Sequence, residues 1–434
     1  MGGSKRTPRP APAGEVVVSV EDLEVVDRVA GLDIAKESLV ACVRTPADGR
    51  GRSQEVREYP TLTGSLLGLA DWLHDERVEL VAMEATSDYW KPVFYLLEAE
   101  GLRCWLLNAK HVKHLPGRPK TDRLDAVWLA KVVERGMARP SLVHPRPVRQ
   151  LRDLTRYRRS LVREQTREKQ RLEKLLEDAQ IKLSSAISDV LGVSGRQMLT
   201  AMIAGQRDPR VLARMAHGSM RSKTRLLEEA LTGHFEDHHA FLAHRMLERI
   251  DRLGVDIDRV SERIDEAIAP FQDQVDRLDM IPGIAARTAQ ELIAEIGVDM
   301  TRFPTAAHLV SWAKFAPMAR ESADRAKTAS TGKGNPWLAG TLGEAVAAAA
   351  RTDTFLAERY RRLVRRRGKP RAIVAVGNSM LTIIWHLLAD PEASYVELGS
   401  GFYESQINKR RRERDLIRQL KQLTGKNVVL EPVA

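Results

Sequence analysis

VELVAMEATSDYWKPVFYLLEAEGLRCWLLNA, residues 78–109, is the stretch that decides the fold. Val78 to Thr86 is a short apolar run with β-branched residues, which suits a buried strand. TSDYWKPVFYLLEAEG reads as a helix, capped by Ser87 or Asp88 and stopped by Gly101. LRCWLLNA is a second buried strand. Strand, helix and strand at this spacing make a βαβ unit. Upstream, residues 26–45 (VVDRVAGLDIAKESLVACVR) pattern as a hairpin turning at Lys36–Glu37. RSQEVREYPT adds a third strand, and a helix is expected over Thr63–His74. The first 140 residues are therefore expected to form one α/β domain.

Downstream the texture is helical. HPRPVRQ, residues 144–150, is a linker by its prolines, and a long charged helix follows to about Asp178. Met246, Ile250, Leu253, Ile257, Val260, Ile264 and Ala267 recur in steps of four and three, a heptad seam that argues a coiled coil. Two antiparallel arms are expected, with residues 181–240 as a helical insertion at their far end. His217, His234, His238, His239 and His244 are too loosely spaced for a metal site and read as surface residues. DMIPGIAARTAQELIAEIG is helix, Pro-Gly turn, helix, a hairpin whose turn and second helix N-terminus can face a phosphate. A helix at 305–314, the polar segment MARESADRAKTASTGKGN and Ala/Leu-rich helices to Ala389 complete this part, before a basic helix and tail. Ala372 to Ala389 carries Asn378, Ser379, Thr382 and His386, so it reads as a buried helix rather than a membrane span. GKGN lacks the spacing of an ATP phosphate loop.

The chain has 434 residues, enough for two or three domains, and a formal net charge of +11. Its balance of apolar and charged residues excludes a mostly disordered chain. The start is basic, Pro-rich and without an apolar core, so it reads as a tail and not a secretory signal. Two cysteines, Cys42 and Cys104, cannot build a disulfide framework, which makes the reducing cytosol the natural compartment. The positive charge is local. Residues 146–174 carry +7, residues 361–371 carry +7 and residues 409–421 carry +5, which leaves −8 on the rest. Three basic segments on an otherwise acidic chain point to a polyanion. The candidate backbone contacts are Lys120, Arg156, Arg158, Arg159, Arg163, Arg167, Lys333, Arg361, Arg365, Arg366 and Arg367, with Gly283 in the Pro-Gly turn.

Four carboxylates stand out by context. Asp33 lies inside the apolar strand GLDIAK, and Glu84 ends the strand of VELVAMEAT. Asp122 and Asp125 open the helix of KTDRLDA, three apart and so on one face. A charge in an apolar strand is costly unless it is paired or bound to metal. Converging carboxylates repel until a divalent cation relieves them, and Mg²⁺ accepts one or two per ion with water and phosphate oxygens. Two such ions can activate an attacking oxygen and stabilise a leaving one on phosphorus. Singly, Asp122 also suits a helix cap and Asp33 the closure of a hairpin.

GLDIAKESLVACV, MEATSDYWKPVFYLLEAEG and NAKHVKHLPGRPKTDRLDAVWLAKV together resemble the DEDD transposases of the insertion-sequence class that use a guide (bridge) RNA. The resemblance covers roughly residues 28–395. It implies a RuvC-like, RNase H-type α/β domain at the N-terminus, coiled-coil helical arms, and a mostly α-helical C-terminal domain. It also implies Asp33, Glu84, Asp122 and Asp125 as catalytic ligands of Mg²⁺, or of Mn²⁺. In the C-terminal half IPGIAARTA, Pro317 with Ser322, and STGKGNPWL match the family's hairpin, serine segment and later loop. By carry-over Ser322 is the nucleophile. Ala323 stands where the family usually has Gly, and Ser330 is the alternative.

The expected boundaries are a tail over 1–27, the RuvC-like domain over 28–143 and the arms over 144–275. The serine-bearing domain then covers 276–395, and a basic helix and tail 396–434. The expected function is RNA-guided cleavage and rejoining of DNA through a phosphoserine intermediate. Donor and target DNA, a guide RNA and further copies of the chain, as a dimer or tetramer, are the expected partners. A bacterial cytoplasmic protein with no membrane association is expected. The rivals are a metal-dependent nuclease or junction resolvase using the acidic site alone, and a non-catalytic nucleic-acid scaffold.

Overall fold

The computed structural model describes residues 26–47, 49, 51–84, 87–108, 121–322, 325–405 and 409–427. The side chains of 122, 318–322, 325–330, 404, 405 and 409–412 are outside that description. So are Lys120 and nearly all of the expected N-terminal tail. The chain divides into two compact units, residues 1–143 and 144–434.

The first unit is built on β1 (Val29–Ile34), β2 (Ser38–Pro46), β3 (Arg52–Pro60), β4 (Leu80–Glu84) and β5 (Cys104–Leu107). Its helices are α1 (Thr63–Asp75), α2 (Trp90–Ala99) and α3 (Asp122–Glu134). The sheet order is β3-β2-β1-β4-β5. β1, β2 and β3 form an antiparallel meander, while β4 and β5 join β1 in parallel through helical crossovers. This is an α/β arrangement on a five-stranded mixed sheet. Successive side chains on a strand face opposite ways, and β1 shows it. Ala30, Leu32 and Ile34 pack with Val81 and Met83 in the core that includes the buried residues of α1 and α2. Val29 packs with Leu80, Ala82 and Cys42 against α3. Gly31 sits where α3 crosses β1. A Cβ there would lie 2.3 Å from the Ala126 carbonyl oxygen and 2.5 Å from the Ala130 nitrogen. The direction of α3 is fixed at its far end, where Arg44 Nε meets Glu134 at 2.6 Å and Arg52 Nε meets it at 3.1 Å. Arg44 pairs with Val29 at the start of β1, so α3 runs antiparallel to β1 and begins near the strand's C-terminal end.

The second unit begins with α4 (Arg146–Asp178), which packs along α7 (Asp237–Ile268). Asp178 meets His239 at 3.3 Å, Glu168 meets Arg249 at 3.8 Å, and Gln165 donates to the Ile250 carbonyl at 3.2 Å. The contacts descend one helix as they climb the other, so the pair is antiparallel. Ile250, Leu253 and Ile264 are buried as the heptad predicts, whereas Met246, Ile257, Val260 and Ala267 are only half-buried. Ala243, Leu247 and Ile268 take their place in the interior. The shift arises because α7 is covered on a broader face: α5 (Val193–Ile203) and α6 (Thr224–Ala230) of the insertion contribute their own core. That core includes Met198, Leu199 and Leu227 with Leu172 and Leu176 of α4 and Leu247 of α7. His239 lies in this region too, 8% exposed. Its ring completes a capping box with Glu236, so it is not one of the expected surface histidines.

The rest of the unit is α8 (Gln272–Asp279), α9 (Ala286–Ile296), α10 (Ala306–Trp312), the hairpin β6 (Met318–Ser322) and β7 (Arg325–Ser330), then α11 (Pro336–Ala349), α12 (Phe355–Arg367), α13 (Lys369–Ala389) and α14 (Lys409–Thr424). The hairpin was not predicted; its sequence reads simply as polar. Among the described residues α13 is the one helix long and apolar enough to cross a membrane. It packs against α10, α11 and α12 through a face that includes Val376, Met380 and Ile384.

Candidate active site

β1 and β4 are parallel neighbours in register through Leu32 and Met83, so Asp33 and Glu84 follow side by side at the strands' C-terminal ends. By the alternation described above, Asp33 shares the face of Val29 and Gly31, and Glu84 shares the face of Leu80 and Ala82. That is the face α3 covers. Asp125 lies one helical turn before Leu129, which is buried against the sheet, so its side chain leans to the same side. Glu84 is 6% exposed, while Asp33 and Asp125 are half-buried. Asp122 opens α3 one turn earlier; its side chain lies outside the described residues. The fold therefore sets Asp33 and Glu84 at one end of one sheet face, with Asp125 in the first turns of the helix that covers it, where the dipole favours negative charge. Among the described residues, no three His, Cys, Asp or Glu side chains form a group that could hold a metal.

Ser322 ends β6 opposite Arg325, and the residues joining the strands, 323–324, lie outside the described ones. Ser330 ends β7 opposite Met318. The two serine candidates thus sit at opposite ends of one hairpin. The loop that follows is held closely. A Cβ on Gly334 would lie 2.8 Å from the Ala313 carbonyl oxygen. Lys314, beside it, adopts a positive φ of 63°, a conformation strained for any residue with a Cβ. Asn335 closes the loop, capping α11 through Trp337 N at 3.0 Å and donating to Glu295 at 2.5 Å.

The basic residues divide into two groups. Arg156, Arg158 and Arg159, expected to hold a nucleic-acid backbone, are engaged within the chain. Arg156 grips both oxygens of Glu295, at 2.7 and 2.8 Å. Arg158 is 3% exposed and meets Glu291 at 3.3 Å. Arg159 meets Glu291 at 2.8 Å, Thr341 at 2.6 Å and also Glu344. These three guanidiniums tie α4 to α9 and α11. Buried guanidiniums need partners of this kind, and the partners sit more than 130 residues along the chain, where sequence periodicity does not reach. Glu291 and Glu295 are the residues that sequence reasoning missed. Arg163 and Arg167, one and two turns beyond Arg159 on the same side of α4, are exposed, and Arg163 lies over the Trp337 ring at 5.1 Å. Lys333, Arg365, Arg366 and Arg367 are exposed as well, whereas Arg361 is tied to Glu358 and to the Thr352 carbonyl. Gly283 turns at φ 88°, and its Cα lies against α11, where a Cβ would meet the Ala345 carbonyl oxygen at 2.3 Å. Close helix packing is thus one physical reason for a glycine there.

Residues 30–181 match the family model DEDD_Tnp_IS110, described as a transposase. Residues 275–361 match one described as "Transposase IS116/IS110/IS902 family". The chain is similar to the "Transposase for insertion sequence element IS1111A" of Coxiella burnetii (strain RSA 493 / Nine Mile phase I), with 25% identity over 393 residues, 86% of this chain and 92% of that one. Among solved structures it is similar to Thermus thermophilus RuvC, with 17% identity and a TM-score of 0.21 over 26% of this chain and 99% of that one. The same protein in complex with a Holliday junction substrate matches with 18% identity and a TM-score of 0.20, over the same shares.

Proposed function

The chain belongs to the IS110 transposase family and is a DNA transposase, and from that premise we propose that it cuts and rejoins DNA through a serine–phosphate bond under the direction of a guide RNA. The observation that carries the reading is that Asp33 and Glu84 follow side by side at the ends of parallel β1 and β4, on the sheet face that α3, the helix of Asp125, covers, in a chain whose second family match contains Ser322. Asp33, Glu84, Asp122 and Asp125 are an all-oxygen set, which suits Mg²⁺ or Mn²⁺ in kind. Such ions, when bound, stabilise the charge that builds on phosphate oxygens.

Ser322 Oγ forms the bond to phosphorus as the bond to the leaving sugar oxygen breaks, and the serine proton is given up as that oxygen gains one. The phosphodiester's energy is kept in the serine ester. A second strand's hydroxyl then reverses the step and frees Ser322. The exposed Arg163, Arg167, Lys333, Arg365, Arg366 and Arg367, together with Lys120 and the Gly283 turn, hold the backbones of DNA and guide RNA. Residues 28–143 supply the carboxylates, residues 144–275 form coiled-coil arms that carry the RNA, and residues 276–395 supply the serine. Donor and target meet in a dimer or tetramer in the bacterial cytoplasm.

The test uses full-length protein with Mg²⁺, guide RNA, and donor and target DNA, read on a denaturing gel. Ser322→Ala removes the covalent protein–DNA adduct and lowers joined product by at least about 10³-fold, while Ser330→Ala keeps both. Asp33→Asn is equally inactive. Continued cutting by Ser322→Ala, with Asp33→Asn dead, would instead identify a metal-dependent nuclease.

A further inference from the structure

A cavity of about 890 Å³ in the second unit is lined by Phe315, Arg359, Arg367, Arg371 and Asn378 among others, and of these only Arg367 has a role in the reading above. We propose that it receives an unstacked nucleotide of the DNA strand that runs to the β6–β7 hairpin, its base against the apolar wall and its phosphates on the arginines. The proposal rests on the DNA-joining reading and adds a subsite to it.

Four observations point to such a ligand. The lining has three guanidiniums and no carboxylate, and its remaining surface is largely apolar, with Phe315, buried against Gly377, in the wall. Basic rims with aromatic and apolar floors are how proteins take single-stranded nucleic acid, because every base has a face to stack and every linkage a charge. Arg367 and Arg371 are exposed, and neither has an ion-pair partner among the described residues. Arg359 donates from Nη1 to the Tyr403 hydroxyl at 3.0 Å. Its Nε, however, is buried with no hydrogen-bond partner among the described residues. A buried donor with no acceptor is costly and uncommon, and an acceptor arriving with a ligand resolves it.

The fourth observation is position. Pro317 and Thr331 both line the cavity, and they flank the hairpin, so its two strands start and finish at the cavity's edge. Ser322 is five residues beyond Pro317, about 16 Å of extended strand. The nucleotide held here is therefore not the one Ser322 attacks but one within about five positions of it on the same strand. A paired base cannot enter a concave site without leaving its stack, so the subsite favours single-stranded or distorted DNA over relaxed duplex.

The experiment measures equilibrium binding of fluorescein-labelled single-stranded DNA, the matching duplex and RNA of the same sequence, across a salt series. All proteins carry Ser322→Ala, so no cutting intervenes. Arg371→Ala, at an exposed position outside the contacts named above, should weaken single-strand binding severalfold and reduce the salt slope by about 0.7, with little change on duplex. Phe315→Leu should weaken single-strand binding without changing the slope. An unchanged affinity and slope would overturn the proposal. So would an equal loss on duplex, which marks a general backbone patch, or an equal loss on RNA. Wild-type protein that never forms the covalent adduct, while these variants still lose single-strand affinity, would sink the serine reading alone and leave the subsite standing.

Discussion

Gly31 is a single missing methyl on which the acidic face depends. With a Cβ 2.3 Å from the Ala126 carbonyl oxygen and 2.5 Å from the Ala130 nitrogen, any larger residue must push α3 off β1, because both obstacles are backbone. Overpacking of this sort costs about 1–3 kcal/mol. Gly31→Ala should lower the denaturant midpoint of the first unit by that amount. It should also cut strand joining more steeply than stability alone explains, since α3 carries Asp122 and Asp125, two of the proposed ligands. A variant as active as the wild type would mean that α3 need not lie so close. Asp33 and Glu84 are legible in the sequence because a carboxylate inside an apolar strand breaks a two-residue pattern anyone can count. Gly31 sits two residues before Asp33 and is not legible in the same way. Its reason is a helix about 100 residues later, and nothing local records it.

At the scale of elements, the sequence announces strands and helices that have an apolar face and hides those held by charge. β1, β4, β5, α1 and α2 fall within a few residues of where pattern places them. β6 and β7 escape because MARES and RAKTAS offer no continuous apolar side. The seating of α4 escapes because its ties are polar. His144, just before α4, shows how tight that seat is. Its ring is 4% exposed, with Gly297, at φ 78°, lying against it. Its Nε2 is 3.2 Å from the Glu295 carbonyl oxygen, which only accepts, so Nε2 carries the proton. Burial first, and the neighbouring Arg152 guanidinium second, push His144 down to about 4 from its usual 6.5. The folded chain therefore refuses a proton that the unfolded chain accepts between pH 6.5 and 4. Stability should fall as pH falls through that window, by about 2 kcal/mol at pH 5 relative to pH 7. His144→Gln, which keeps an amide donor near Nε2 but cannot titrate, should flatten this part of the curve in urea melts at the two pH values. If the wild type and His144→Gln lose stability in parallel, α4 is seated by other means.

At the scale of the whole molecule, the net charge of +11 describes no single surface. Part of the basic excess on α4 is consumed by Glu291 and Glu295 within the second unit. The basic residues left without partners of this kind include Arg163 and Arg167 of α4 and Arg365, Arg366 and Arg367 at the end of α12, the proposed backbone contacts. The carboxylates belong to the first compact unit and the candidate serine to the second, which raises the question of whether one chain supplies both halves of an active site. Closed symmetric oligomers allow each site to borrow from a neighbour. Mixing two inactive proteins, Asp33→Asn and Ser322→Ala, and letting them exchange subunits separates the cases. If carboxylates and serine come from different copies, half of randomly formed dimers are mixed, and each of those contains one site with both wild-type halves. Joining activity should then return to about one quarter of wild type. If one chain supplies both halves, every site in every dimer is missing something, and the mixture stays as inactive as its parts.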